Sequence, residues 1–432
     1  MKILIITQFI PYPLSEGGKI AQFNVIDYLR NKSSITLLLF SKNELDFKSI
    51  QQLKEIWNNV DFEIISEQKF HQENSISKFK KVLKYILKYI DYTRHILYKY
   101  IEFEKIKIKV ESTNVEDNLE YLISFAKPRN KNVINQVSHV IYNVKPDLIQ
   151  LDFIETLDLA LCIPKEIKKI FVHHEIRFRR LETELKTIKY NIGSYGRYVQ
   201  NLCDLLEVNL LNKFDGIVTF SEEDKSRLLE RLSITNILSS PFCVLNSEII
   251  EIKPENLLIK KLVFVGLEKH SPNRDAIEWY ALHISKEIYE RLGLVLHVIG
   301  DWSEDFKLRH SDNPAIIFTD FVKDLSGYCM NSVMVVPLRI GSGIRTKILH
   351  SMAWGVPVIS TSIGCEGIIE NENIFCIANE SKDFVHGINK IVTDEIYRTS
   401  IVCKAQSILK KHYTQNNAGE KRFMFYKSLL PN

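Results

Sequence analysis

Short, largely apolar runs alternate along the chain with stretches in which apolar residues recur every three or four positions. Residues 3–6, 35–40, 147–151, 170–173 and 216–220 are runs of the first kind. They predict strands of a parallel sheet covered on both faces. Phe23, Ile26 and Leu29 share one face of a predicted helix over 21–29. The second half repeats the scheme, with predicted strands over 262–265, 294–299, 316–319, 333–336 and 356–360. Helical patterns fall over 275–291 and 344–354. The fold class that follows is α/β, with two Rossmann-like, doubly wound parallel-sheet domains facing across a cleft. Glu, Asn and Pro break the apolar pattern over 246–256, which predicts the linker. The expected domains are therefore 1–248 and 249–412. A final segment, 413–432, carries Phe423, Tyr426 and Leu430 on one helical face.

Composition narrows the class. A chain of 432 residues exceeds one ordinary core, and 45% hydrophobic with 25% charged residues is a globular balance. No run of 18 apolar residues predicts a membrane span. The first residues read as a strand rather than a signal peptide, so the expected location is cytoplasmic. Seven scattered cysteines without a C-x-x-C pair predict a reducing compartment and no zinc site.

Charge changes the picture at one place. Residues 69–110 hold eleven Lys/Arg against four Asp/Glu, a local net of +7 in a chain of net +4. Within about 78–110, Phe79, Val82, Leu83, Ile86, Leu87 and Ile90 follow a helical stripe, and Lys80, Lys81, Lys84 and Lys88 cover the rest. Such a basic amphipathic helix either docks on an anionic bilayer or packs on the core with solvated lysines. No nucleic-acid motif accompanies it.

The densest chemistry lies at Gly341-Ser342-Gly343, between the predicted strand 333–336 and the helix 344–354. A glycine loop leading into a helix N-terminus presents free N–H groups and the positive end of the dipole, which suit a phosphate. Arg345 and Lys347 add two charges there. A second glycine loop, Gly364-Cys365-Glu366-Gly367, follows the next strand.

These motifs, with Phe264-Val265-Gly266, Pro272-Asn273-Arg274-Asp275 and Val298-Ile299-Gly300 in the same order, resemble the donor-binding half of the family 4 (group 1) retaining glycosyltransferases. The resemblance covers about a quarter of the chain, nearly all in the second half. It implies the two-domain GT-B fold, a nucleotide-sugar donor, and a last helix returning to the first domain. It also implies transfer to a hydroxyl of a glycan or lipid-linked glycan, as in cell-surface polysaccharide synthesis, with retention and with neither metal nor cofactor. The donor diphosphate is expected on Gly341, Ser342, Gly343, Arg345 and Lys347, faced across the cleft by Gly17 and Gly18. His350, Gly364, Cys365 and Gly367 are expected at the ribose and sugar, and Glu366 beside the sugar as a catalytic group.

His173-His174 ends a predicted strand, and one of the two resembles the family's active-site histidine. Strand alternation aims them oppositely without choosing between them. Asn273 and Arg274 are secondary diphosphate candidates or helix-capping residues. Asp152 and Glu155 follow another strand end, as weaker site candidates or caps.

The sequence also departs from the family. Its paired glutamates correspond here to Ser342 and His350, and Leu267 stands where many members carry Arg. Two alternatives therefore stay open beside a transferase. One is a non-catalytic donor-binding partner, and the other a nucleotide-sugar 2-epimerase on the same fold.

Overall fold

The computed structural model describes residues 1–14, 17–66, 125, 128–187, 193–251, 258–341 and 344–431. The basic segment at 78–110, Ser342 and Gly343 lie outside the described residues. Two sheets organise the chain, and every pairing within them is parallel. The first contains β1 (Lys2–Thr7), β2 (Ser34–Ser41), β3 (Val60–Ser66), β4 (Leu148–Asp152), β5 (Lys168–Val172), β6 (Gly216–Thr219) and β7 (Ile237–Ser239), in the order β3-β2-β1-β4-β5-β6-β7. The second contains β8 (Lys261–Val265), β9 (Leu296–Ile299), β10 (Ile316–Thr319), β11 (Ser332–Val336), β12 (Val358–Ser360) and β13 (Cys376–Ile377), in the order β10-β9-β8-β11-β12-β13. Residues 3–6 of β1, and all of β4 and β11, are buried, as strands covered on both faces require.

Strand order reverses between β1 and β4 in the first sheet and between β8 and β11 in the second. A crevice opens at the carboxyl ends of strands at such switch points. The loops after β1, β4, β8 and β11 are therefore the ones that build a site. They lead into Gly17-Gly18 at the start of the helix Gly17–Leu29, and they carry Phe153, Gly266 and, after β11, Gly341.

The pattern of apolar positions misses three strands, β3, β7 and β13. β3 alternates buried and wetter positions at the sheet edge, and β7 and β13 are only three and two residues long. The helix expected over 275–291 is two helices, Ser271–His283 and Ser285–Leu292. Ser285 Oγ donates to the Ala281 carbonyl at 2.8 Å, so a side chain competes for a helix acceptor at the break. The helix Ser381–Thr393 packs on β12 and buries Phe384, Val385, Ile388 and Ile391, and the helix Glu395–His412 packs on it and on the helix Thr346–Trp354.

The last helix, Gln415–Leu429, packs on the helix Gly17–Leu29 of the first unit. Its Glu420 accepts from Tyr28 Oη at 2.5 Å, and Gln415 Nε2 donates to the Asn24 carbonyl at 2.9 Å. Arg422, almost fully buried, donates from Nε to Ser240 Oγ at 3.1 Å. Among the described residues no helix is long and apolar enough to cross a membrane.

Candidate active site

The helix Thr346–Trp354 follows β11 and its loop, and Arg345 occupies the N-cap position. The Arg345 side chain makes no capping hydrogen bond to this N-terminus, and of the first N–H groups that of Ile348 donates to the Arg345 carbonyl at 3.0 Å, so those of Thr346 and Lys347 are the ones turned to the loop. Gly341 has φ +116°, a conformation that a side chain strains. Its α-carbon is also approached so closely by the Arg345 guanidinium that a Cβ would come within 2.6 Å of Nη2. The turn thus folds the cation back over the loop.

Lys347 Nζ donates to Asn273 Oδ1 at 3.1 Å and lies 3.9 Å from the Phe264 ring centroid. Asn273 Nδ2 in turn donates to the Leu267 carbonyl at 2.9 Å. Asn273 therefore ties the loop after β8 to the lysine rather than capping its helix. Burial pushes the Lys347 amine well below its ordinary pKa, and the charge of Arg345 adds to the shift. Burial also lowers Arg345, while Glu175 and Glu366 act against it. Arg274 turns elsewhere: it reaches Glu278 at 3.4 Å and lies 5.7 Å from the Phe306 ring centroid. A surface i,i+4 partner and an aromatic face thus draw it away from Lys347.

The first unit meets this helix across the crevice. A Cβ on Gly17 would stand 2.5 Å from Thr346 Oγ1, and one on Gly18 would stand 2.9 Å from the Phe153 ring. Only glycines permit both approaches. Beside them His174 stacks on Phe153, with centroids 3.8 Å apart and planes 13° apart. Its Nε2 is 2.9 Å from Asp152 Oδ1. Burial lowers the His174 pKa, with Arg422 and His173 adding to the shift and Asp152 opposing it.

His173 points the other way. Its Nε2 is 2.9 Å from Glu207 Oε1 in the core, a close charge contact without hydrogen-bond geometry, and Glu207 accepts from the backbone N–H groups of Arg177 and Phe178. The strand-end pair thus divides into a core histidine and a crevice histidine.

Carboxylates and arginines complete the arrangement. Glu175 accepts from Arg180 at 3.0 Å and lies 3.7 Å from Arg177. Burial alone would raise its pKa, but Arg180, Arg177 and Arg345 hold it down at about 2. Arg180 also reaches Ser271 Oγ of the second unit at 3.4 Å. Glu366 pairs with Arg227 of the first unit at 2.5 Å. Glu155 pairs with Arg177 at 3.3 Å, and neither it nor Asp152 uses its carboxylate as a helix cap.

His350 is buried within the helix Thr346–Trp354 and stacks on Trp354, with centroids 5.3 Å apart. Its Nε2 is buried with no hydrogen-bond partner among the described residues. Gly364 and Cys365 are packed tightly, with Gly364 N donating to Thr361 Oγ1 at 2.8 Å and Cys365 Sγ to the Thr361 carbonyl at 3.3 Å. Burial pushes the Cys365 thiol up to about 11, so it stays protonated. Gly367, at φ +81°, abuts Ser221 of the first unit.

Sequence reasoning missed Arg227 and Thr346, and no local signal points to either. Glu175 and Arg180 sit beside the histidine pair in sequence, but their convergence on the second unit is a tertiary fact. A cavity of about 270 Å³ lies elsewhere, lined by Phe178, Glu182, Gln200, Asn201, Asp204 and Arg231. Two carboxylates in that lining suit an anion poorly.

Residues 259–394 match the model of the family described as Glycosyl transferases group 1. No curated protein matches the sequence. Several solved structures share the architecture from end to end. Anabaena Alr3699/HepE in complex with UDP aligns with TM-score 0.63 at 13% identity, over 99% of this chain and 100% of that one. A variant of S. aureus TarM, in complex with Fondaparinux, alpha-GlcNAc-glycerol and UDP, aligns with TM-score 0.63 at 13% identity over 98% and 99%. Sucrose-phosphate synthase from Thermosynechococcus elongatus aligns with TM-score 0.66 at 11% identity over 99% of each chain. The shared architecture is the GT-B fold, two Rossmann-like domains that face one another.

Proposed function

We propose that this protein is a glycosyltransferase of the retaining type. It moves a sugar from a nucleotide-diphosphate donor to a hydroxyl of a glycan or lipid-linked glycan. The observation that carries this reading is the meeting of Gly17 with Thr346. It sets the glycine N-terminus of the helix Gly17–Leu29 in one unit against the N-terminus of the helix Thr346–Trp354 in the other, flanked by Arg345 and Lys347. Such a corner suits two phosphates. The match to group 1 glycosyltransferases and the UDP held by similar structures support the same donor class.

In this reading the bond from C1 of the sugar to the diphosphate oxygen breaks as the acceptor oxygen bonds to C1 from the same face. The acceptor proton passes to the leaving phosphate. Arg345, Lys347 and the helix N–H groups stabilise the charge that grows on the leaving group, so the route needs no metal. His174 and Glu366 face the sugar, and the residues around His350 face the ribose. The basic segment at 78–110 holds the enzyme against the inner, anionic face of a membrane where the acceptor resides.

The test is nucleotide release from UDP-, GDP- and ADP-sugars, with and without a lipid-linked glycan acceptor and without added metal. Acceptor-stimulated release from one donor is expected. A second reading, a donor-binding partner without turnover, is favoured by His350, which stands where the family carries a carboxylate and whose Nε2 has no hydrogen-bond partner among the described residues. Nucleotide binding with no release under any acceptor condition would select it.

A further inference from the structure

The hydrogen bonds of His174 do not end at Asp152. Asp152 is almost fully buried, and its second oxygen, Oδ2, accepts from Gln150 Nε2 at 2.5 Å. Gln150 Oε1 accepts from Tyr426 Oη at 2.7 Å, and Tyr426 is fully buried. Tyr426 belongs to the last helix, 276 residues from Gln150.

The direction of the chain is determined by chemistry. A carboxylate that accepts on both oxygens forces Gln150 to present its amide N–H₂, which turns the Gln150 carbonyl toward the tyrosine hydroxyl. The same carboxylate requires a proton on His174 Nε2. In the neutral ring the lone pair then falls on Nδ1. That atom lies 3.9 Å from the position a Cβ on Gly18 would take, on the side of the glycine turn.

The same helix also approaches His174 through an intervening ring. The Arg422 guanidinium lies 5.2 Å from the Phe220 ring centroid, and the Phe220 ring lies 5.0 Å from that of His174. Arg422 adds electrostatically to the penalty on a charged His174.

We propose that Tyr426, Gln150 and Asp152 form a positioning relay that fixes His174 as the Nε2–H tautomer with Nδ1 aimed at the donor sugar as an acceptor. The C-terminal helix is then a working part of the active site as well as a structural clasp. The consequence for catalysis rests on the placement of His174 at the sugar proposed above, whereas the tautomer does not.

Two measurements test it. The first is the ¹⁵N spectrum of histidine-labelled protein, with the His174 signals identified by their loss in His174→Gln. A protonated Nε2 and an unprotonated Nδ1 are expected in the wild type, and Asp152→Asn should disturb that pattern. A protonated Nδ1 in the wild type would overturn the relay, whether or not the protein turns over any sugar.

The second is steady-state kinetics of Tyr426→Phe, which keeps the packing and removes only the hydroxyl. A loss of about 3- to 10-fold in kcat is expected, the rate equivalent of one net hydrogen bond, with the donor KM little changed. In the His174→Gln background the same substitution should cost nothing further. Equal losses in both backgrounds would mean that Tyr426 only supports the fold. A wild type that releases no nucleotide, but shows the Nε2–H signal, would sink the transferase reading and leave the relay standing.

Discussion

Lys347 and Arg345 illustrate how much of this site is decided residue by residue. The protein around them disfavours their charges, and a diphosphate would restore what burial removes. Arg345→Ala or Lys347→Ala should therefore lower kcat/KM by about 10²-fold, read from donor saturation curves. Near-wild-type values in both variants would end the diphosphate assignment. The buried histidines set a pH limit on stability. Burial lowers the pKa of both His174 and His350 from 6.5, so the unfolded chain takes up their protons first. Their contribution is complete above about pH 6.5 and fades as pH falls toward their folded values. Glu175 acts in a lower window, complete above 4.5 and lost toward about 2. Denaturant midpoints should fall from pH 6.5 downward. A His174→Gln, His350→Gln variant should show a flatter upper limb, and an unchanged limb would refute the assignment.

At the scale of elements, the last helix bears the clearest consequence. Gly419 allows it to lie on Tyr28, and a Cβ there would stand 2.3 Å from the ring carbon Cγ. Gly419→Ala should destabilise the protein by about 1–3 kcal/mol through overpacking, measured by chemical denaturation. No loss would mean that the helix shifts freely on its seat. The helix Thr346–Trp354 shows the opposite economy. It ends in a left-handed Gly355 and buries residues 348–354, so its position is held from the far end. Its N-terminus is left to face the first unit.

For the molecule as a whole, the two units meet through specific contacts of named residues. Gly17 meets Thr346, Arg227 pairs with Glu366, and Arg180 reaches Ser271. Gly17→Ala should hold the units apart, raising the donor KM and lowering kcat while leaving the unfolding midpoint close to wild type. Adding Thr346→Ala removes both atoms nearest the new methyl and should recover most of the loss. A double variant as poor as the single one would show that the approach of the two units is not the cause. The membrane role proposed for the segment 78–110, outside the described residues, is tested at this scale. Changing Lys80, Lys81, Lys84 and Lys88 to Gln should weaken binding to anionic vesicles, and the wild-type binding should fall with salt. Unchanged binding would favour a core-packing helix.

Two parallel sheets, their alternation with helices, and the glycine loop before Arg345 and Lys347 are legible in the sequence, because they rest on local periods and adjacent residues. The short strands β7 and β13 and the half-wet edge strand β3 are not, since a few residues at a sheet edge carry no period of their own. The candidate site is legible only as a set of strand-end positions. That His174 and not His173 meets the glycine turn depends on which face of β5 is turned to the core by Glu207. The pairing of Glu366 with Arg227, and the bond from Tyr426 to Gln150 that begins the relay, join residues 139 and 276 positions apart. Local spacing holds no information about such contacts. They exist because strand order reverses in each sheet and because the last helix crosses back to the first unit.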